Sequence, residues 1–229
     1  MILHTENAGL LLYALEDTPG PLEQPRTLRE AGSYTAYAAN ERTLVIGTTG
    51  GQVFSLSLEE GKEEEGEVMK EDQKITSVAV SPDGALIAWG TDEGMMKLYK
   101  TGEQRVVGEV EIAEETDVAR LIISQENKHL LALPGDEGDV MRWDVEQLEA
   151  GDTKPVIKYL NSTQERINRM LLTSENRCLL TLSEQGNLRV WDFEHGKLLT
   201  TFSTEGEGGV APCAAMSPDR AYAVTGRGV

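Results

Sequence analysis

A glycine that returns at nearly constant spacing constrains this chain more than any other feature. Four segments align on it without gaps: 51–58, 94–100, 138–145 and 186–193. Each opens on Gly51, Gly94, Gly138 or Gly186 and continues as an alternating apolar and polar run. Five places after the glycine stands a large residue: Leu56, Tyr99, Trp143 and Trp191. A fifth copy, 9–15, is one place out of register and puts Tyr13 in the large position. The steps between these large residues are 43, 43, 44 and 48. Self-similarity at such a period marks a repeat architecture, in which each unit buries its apolar face against its neighbours.

A second marker recurs in the same rhythm. Ser81-Pro82-Asp83-Gly84 has Pro in the second place and Gly in the fourth, as a type I turn favours. Ser217-Pro218-Asp219-Arg220 repeats it, and segments 38–41, 124–127 and 173–176 hold the same place. Their first positions, 38, 81, 124, 173 and 217, are 43, 43, 49 and 44 apart. Between the markers the runs are strand-like. Segment 75–80 precedes the turn, 86–90 follows it, and 95–99 comes after the tight Asp92-Glu93-Gly94 connection. A more polar fourth run follows, as at 105–112 and 197–202. The fold class is therefore all-β, with about five four-stranded antiparallel units. The innermost strand is expected to be the most apolar and the outermost the most polar. The repeat units fall at 1–30, 31–72, 73–115, 116–163 and 164–208, with an incomplete one at 209–229.

Composition narrows the partners. Among 229 residues, 39 acidic side chains stand against 21 basic ones, a formal charge of −18. Nucleic acid backbones and anionic membranes both demand clustered Lys and Arg, so neither is an expected partner. Basic proteins are. The longest apolar run, Leu10 to Leu15, is far shorter than the ~20 residues of a membrane helix. The first residues lack the basic-then-apolar order of a signal peptide, so the chain is not expected to be secreted. Cys178 and Cys213 can form one disulfide, but free thiols in a reducing compartment are the preferred reading.

A period of ~40–45 residues, four strands per unit, and a Trp-Asp pair closing the third strand resemble the WD-repeat β-propeller family. Trp143-Asp144 and Trp191-Asp192 carry the signature; Tyr13, Leu56 and Tyr99 occupy its place in weakened form. The Gly-His pair of that family is absent, and the acidic residue of the tight turn is Glu93 or Glu137 in some repeats but Gln185 or Gly50 in others. An incomplete side-chain network within each blade is expected to follow. The chain starts and stops in mid-repeat. Either its ends interlock into a five-bladed ring, or it is part of a larger, typically seven-bladed, propeller; the duplicated second strand, 1–5 against 221–225, favours the latter.

Two segments break the rhythm. Asp17 to Pro25 holds three of the eight prolines and reads as a stiff surface loop. Glu59 to Asp72 holds eight acidic residues and two lysines and reads as an acidic loop; Glu63, Glu64, Glu65 and Glu67 are candidate contacts for a basic partner. Gly47-Thr-Thr-Gly-Gly51 looks like a phosphate cradle but leads into a strand, and is read as a hairpin turn. Three scattered histidines and two distant cysteines give no metal-ligand spacing, and no nucleophile turn is visible. No catalytic residue, metal or cofactor is expected. The resemblance implies a non-catalytic platform for other proteins, docking them on the rim formed by the loops entering the first strands and the turns between second and third strands. Here those positions are Gln73, Lys74, Asp92, Glu93, Glu137, Arg166, Asn168, Glu184 and Gln185. The expected role is a scaffold in an intracellular assembly, nuclear or cytoplasmic, with RNA processing or ribosome assembly as the setting. A reader of short peptides or modified tails is the alternative, and a propeller enzyme the third reading.

Overall fold

The computed structural model describes residues 2–5, 9–12, 26–29, 34–58, 65–135, 138–159, 165–203, 213–216 and 222–226. The chain divides into two compact units between Tyr34 and Thr35. In the first, β1 (Ile2–Thr5), β2 (Gly9–Leu12) and β3 (Arg26–Arg29) form an antiparallel meander. Tyr13, Glu63, Glu64, Glu137 and the proline-rich segment 17–25 lie outside the described residues.

The second unit carries four antiparallel four-stranded sheets, each consecutive in sequence. Blade 1 is β4 (Tyr34–Ala39), β5 (Thr43–Thr48), β6 (Gln52–Ser57) and β7 (Glu65–Lys70). Blade 2 is β8 (Ile75–Val80), β9 (Leu86–Thr91), β10 (Met95–Lys100) and β11 (Arg105–Glu111). Blade 3 is β12 (Val118–Ile123), β13 (His129–Pro134), β14 (Val140–Asp144), the short helix α1 (Val145–Glu149) and β15 (Ile157–Tyr159). Blade 4 is β16 (Ile167–Leu172), β17 (Cys178–Ser183), β18 (Asn187–Asp192) and β19 (Leu198–Ser203). A further pair, β20 (Cys213–Met216) and β21 (Ala223–Gly226), comes next, with β20 against β16.

The register carries the repeat into three dimensions. Leu56 faces Leu44, Tyr99 faces Ile87, Trp143 faces Leu130 and Trp191 faces Leu179, always the second residue of the second strand. Segment 47–51 is the hairpin between β5 and β6. At the next such turn, Gly94 has φ +82° and its Cα faces the Ala113 carbonyl, so a Cβ there would lie 1.8 Å from that oxygen. Only glycine fits both demands.

The core lies between blades. Trp89 packs with Val45 and Val53 of blade 1. Trp143 packs with Met96 and Leu98 of blade 2, and Trp191 with Leu131 and Tyr159 of blade 3. Glycine sets the approach at two equivalent places: a Cβ on Gly47 would meet Ile75 Cγ2 at 2.4 Å, and one on Gly90 would meet Val118 Cβ at 2.3 Å. The second pair stands 43 residues on from the first, so one close contact is built twice.

Two expectations need correction, and one element adds to them. The most buried strand is the second, not the first: β9 is buried throughout, and β5, β13 and β17 at five of six positions. Second strands are flanked within the sheet and covered on both faces, which explains their unbroken apolar runs. Segment 59–72 is not one loop. Its residues 65–70 form β7, which pairs with β6 and puts Glu65 opposite Leu56 and Glu67 opposite Phe54. Pairing satisfies the outer edge of β6, and Val68 and Met69 add to the core between blades 1 and 2. Lastly, α1 was not expected. It lengthens the connection after Trp143-Asp144, and its Val145 and Leu148 are buried.

Candidate functional site

Each blade presents two rims. On the first, the loop entering the first strand meets the turn between second and third strands. In blade 2 the Asp92 amide donates to the Lys74 carbonyl at 3.1 Å, and Gln73 Nε2 donates to Glu93 Oε2 at 3.2 Å. In blade 4 the Glu184 amide donates to the Arg166 carbonyl at 2.8 Å, with Arg166 Nη1 3.9 Å from Glu184 Oε1. Gln185 is exposed beside Glu184. The structure thus gathers these candidates into two clusters, one per blade. Asn168 stands apart, within β16, where its carbonyl accepts from Arg120 Nε at 3.1 Å.

Beneath the rim lie two ion pairs built on one plan. Lys97 and Arg189 both stand three places after the turn glycine. Lys97 Nζ is 2.8 Å from Glu71 Oε2, and Glu71 Oε1 also accepts from the Trp89 indole at 3.0 Å. Arg189 Nη2 is 3.0 Å from Glu165 Oε2, while Asn187 Nδ2 donates to both Glu165 oxygens at 3.0 Å. Burial pulls the Lys97 pKa down, but the hydrogen bond and charge of Glu71, helped by Glu109, outweigh it and hold it above the ordinary value. Burial pushes Glu165 up, but the hydrogen bonds of Asn187 and Ser183 and the charge of Arg189 prevail and leave it below the usual range. Sequence reasoning assigned Glu71 to a loop and overlooked the other three. A basic residue at a fixed step from a turn glycine was the available signal.

The Trp-Asp residues support the blades. Trp143 and Trp191 are 1% and 4% exposed. Trp191 Nε1 donates to Thr181 Oγ1 at 2.9 Å, both groups buried, whereas Trp143 Nε1 donates to the Thr153 carbonyl at 2.9 Å. Asp144 Oδ1 lies 2.8 Å from His129 Nδ1, and Asp192 Oδ1 accepts from the His195 amide at 2.7 Å. That amide and the His195 ring hold the Asp192 carboxyl below its usual pKa. Leu56 is buried and Tyr99 half-buried, its ring 6.3 Å from that of Trp89. Tyr159 donates to the Phe193 carbonyl at 2.7 Å, and burial pushes its phenol up to about 12.

The opposite rim is made by the recurring marker turns. Ser81 Oγ accepts the Leu86 amide at 2.9 Å, Ser124 Oγ the His129 amide at 3.0 Å, and Thr173 Oγ1 the Cys178 amide at 2.8 Å. The turns also reach one another. Asn40 Nδ2 donates to the Ser81 carbonyl at 2.8 Å, Asn127 Nδ2 to Asp83 Oδ2 at 2.7 Å, and Asn176 Nδ2 to Glu126 Oε2. Between blades 2 and 3 this rim opens into a cleft of about 520 Å3. A second hollow of about 500 Å3 lies among the ends of β4, β8 and β12, lined by Val80, Ile122 and other apolar side chains. Among the described residues there is no cluster of potential metal ligands, and no helix long and apolar enough to cross a membrane. Cys178 carries a free thiol, its pKa raised by burial.

With this geometry in hand, comparison with known families is decisive. The family described as nucleolar protein 10-like, N-terminal domain, matches residues 25–220. The chain belongs to that family of β-propeller domains. The DDB1- and CUL4-associated factor 11 homologue of Caenorhabditis briggsae is 26% identical over 132 residues, 58% of this chain and 23% of that protein. Its Caenorhabditis elegans counterpart is 24% identical over 127 residues, 56% of this chain and 22% of that protein. The aligned region thus spans less than a quarter of those curated relatives. In fold, the chain resembles a chain of the Mitotic Checkpoint Complex crystal structure, with a TM-score of 0.69 and 14% identity, over 84% of this chain and 56% of that one. It also resembles the hydrazine synthase of Kuenenia stuttgartiensis, with a TM-score of 0.67 and 15% identity, over 85% and 55%. At such identities the likeness is one of fold. A fold shared by a chain of a checkpoint complex and a hydrazine synthase does not by itself choose a function.

Proposed function

We propose that this chain is a non-catalytic protein-interaction scaffold, acting as the propeller domain of a larger intracellular assembly, with RNA processing or ribosome assembly in the nucleus as its setting. The observation that carries the reading is the match to the nucleolar protein 10-like propeller domain over residues 25–220. Two relatives are named as factors associated with DDB1 and CUL4, which supports a role in holding proteins together. The charge of −18 favours basic proteins over nucleic acid as direct contacts. Gln73, Lys74, Asp92 and Glu93 of blade 2, with Arg166, Glu184 and Gln185 of blade 4, are the proposed docking residues on the first rim; Glu137 and Asn168 complete the set by position. Glu67, with Glu65 two places before it in β7, is a second acidic contact by position.

The test is purification of the tagged chain at low and high salt, with identification of the proteins that accompany it. Stable basic proteins of a ribonucleoprotein assembly are the expected companions. A free monomer under both conditions contradicts the scaffold reading. Charge reversal of Asp92 and Glu93 together should release partners held on the first rim without altering the thermal midpoint.

A further inference from the structure

The cleft between blades 2 and 3 lies on the opposite rim from the surface just proposed. Its walls come from four segments. Ala85 and Leu86 follow the marker turn of blade 2; Lys100, Gly102 and Glu103 lie at and beyond the end of its third strand. Glu126, Asn127 and Lys128 belong to the marker turn of blade 3, and Val145, Glu146 and Glu149 to α1. The volume of about 520 Å3 is enough for a long side chain and the backbone on either side of it.

Its chemistry is uneven. Leu86 and Val145 are both buried and make an apolar floor. Four carboxylates stand around it against two ammonium groups. Three of the carboxylates already have partners. Lys100 Nζ bridges Glu149 at 2.7 Å and Glu103 at 3.5 Å, and Glu126 accepts from Asn176. Glu146, on the first turn of α1, is exposed and makes no ion pair or side-chain hydrogen bond among the described residues. Glu103 is also held by the chain's own Arg105, whose Nη2 and Nε lie 2.6 and 2.7 Å from its Oε2. An anionic ligand would meet four carboxylates here. A cation on an apolar stem meets what it needs, since its methylenes can lie on the floor while its charge stays among the carboxylates.

We propose that this cleft docks an extended basic segment of a partner protein, one Arg or Lys side chain of which lies on Leu86 and Val145 with its charge against Glu146. The inference rests on the interaction-scaffold reading but on no particular assembly. Because the cleft is walled by two blades, the docked segment also ties them together. Specificity comes from the pairing of a cationic residue with an apolar neighbour, not from net charge alone.

The test uses the full chain and a fluorescent heptapeptide, Gly-Ser-Arg-Leu-Arg-Ser-Gly, followed by anisotropy at moderate salt. A matched probe replaces both arginines with citrulline, which keeps shape and removes charge. The arginine probe is expected to bind, and the citrulline probe to bind far more weakly. Glu146→Lys should weaken the arginine probe about tenfold, as reversal of a contact charge does. Glu111→Lys, at the far end of β11, should leave it unchanged, which controls for attraction to an acidic surface at large. No binding, equal binding of the citrulline probe, or equal loss in the two variants would each overturn the proposal. Co-purifying partners that remain with Glu146→Lys, when that variant still binds the probe normally, would sink the cleft and spare the scaffold. Probe binding lost in Glu146→Lys, by a chain that retains no partner, would do the reverse.

Discussion

Asn127 Nδ2 donates to Asp83 Oδ2 at 2.7 Å although 44 positions separate them in sequence. The contact joins the marker turn of blade 3 to that of blade 2. Asn176 makes the corresponding reach from blade 4 to Glu126 of blade 3, while Asn40 of blade 1 reaches the other way, to the Ser81 carbonyl of blade 2. The marker is therefore both a local turn and a link between repeats, and nearest-neighbour coupling is what holds repeat units together.

Asn127→Ala should lower stability by about 2 kcal/mol, roughly 1 for the lost side-chain hydrogen bond and roughly 1 because Asn127 sits at φ +59°, where alanine is strained. Urea denaturation would measure it. Asp83→Ala should cost more, because Asp83 also accepts the Ala85 amide at 3.0 Å and the Ser81 hydroxyl at 2.7 Å. The double variant should cost less than the sum, since the two residues share one contact. Strict additivity would show that the link between turns contributes nothing.

Thr181 and Trp191 are 2% and 4% exposed, so their hydrogen bond is dry. Thr181→Val keeps the volume and strands the indole N–H. The expected cost is about 1–3 kcal/mol, the penalty for an unsatisfied buried donor. Replacing Trp143 by Phe removes a donor to the Thr153 carbonyl at the blade surface and should cost less from hydrogen bonding alone. A thermal midpoint that does not move in Thr181→Val would contradict the assignment.

The same residues show what was legible in sequence. Trp143 and Trp191 announced third strands, because a turn glycine and a large apolar residue at fixed spacing are local facts. The marker Ser81-Pro82-Asp83-Gly84 announced a turn for the same reason. That Asp83 would receive Asn127, or that Glu71 would lie beneath Trp89, depends on how one blade leans on the next. No local pattern carries that information. The acidic run 59–72 misled for a physical reason: an outer strand has one solvated face and little apolar content to signal pairing, so β7 looks like a loop until the free edge of β6 is considered. The candidate rim residues follow from motif position alone, and the geometry sets those described in blades 2 and 4 into two clusters.

The pair Arg189–Glu165 supplies a pH test. Their side chains are 8% and 10% exposed. Glu165 has its pKa lowered on folding, so the unfolded chain binds its proton more readily. The stability it contributes is fully present above the ordinary glutamate value of about 4.3 and is lost as pH falls through the lower folded value. Glu165→Ala should cost about 1–3 kcal/mol at neutral pH, because it removes the carboxylate that faces the buried Arg189 guanidinium and accepts from Asn187. Below about pH 4 the gap between variant and native chain should narrow. Glu165→Leu combined with Arg189→Met should recover most of the loss. Urea midpoints between acid and neutral pH would read all three; a gap that widens in acid would refute the account.

Val110 and Phe202 hold the same place in their blades, opposite Met96 and Leu188, each of which stands two positions after a turn glycine. Val110 is 5% exposed and Phe202 57%. The difference lies in the cover that a neighbouring blade supplies. Val110 shares a core with Met141, Trp143 and Leu148 of blade 3, and α1 approaches β11 so closely that a Cβ on Gly108 would lie 3.2 Å from Leu148 Cβ. The strand β19 is exposed at all six positions, including Leu198 and Leu199, and contains no charged residue, whereas β7 and β11 each contain three. Uncharged apolar edges invite pairing with other chains, and charges on an edge oppose it. Val110→Ala should therefore cost about 2 kcal/mol of stability, from lost burial and the cavity left behind. Phe202→Lys should change stability by no more than about 0.5 kcal/mol, as exposed substitutions do. Its effect should appear instead in light scattering at rising protein concentration, where the native chain associates more strongly than the variant. If Phe202→Lys destabilises the chain as much as Val110→Ala, the outer face of β19 is covered and the contrast between the two strands disappears.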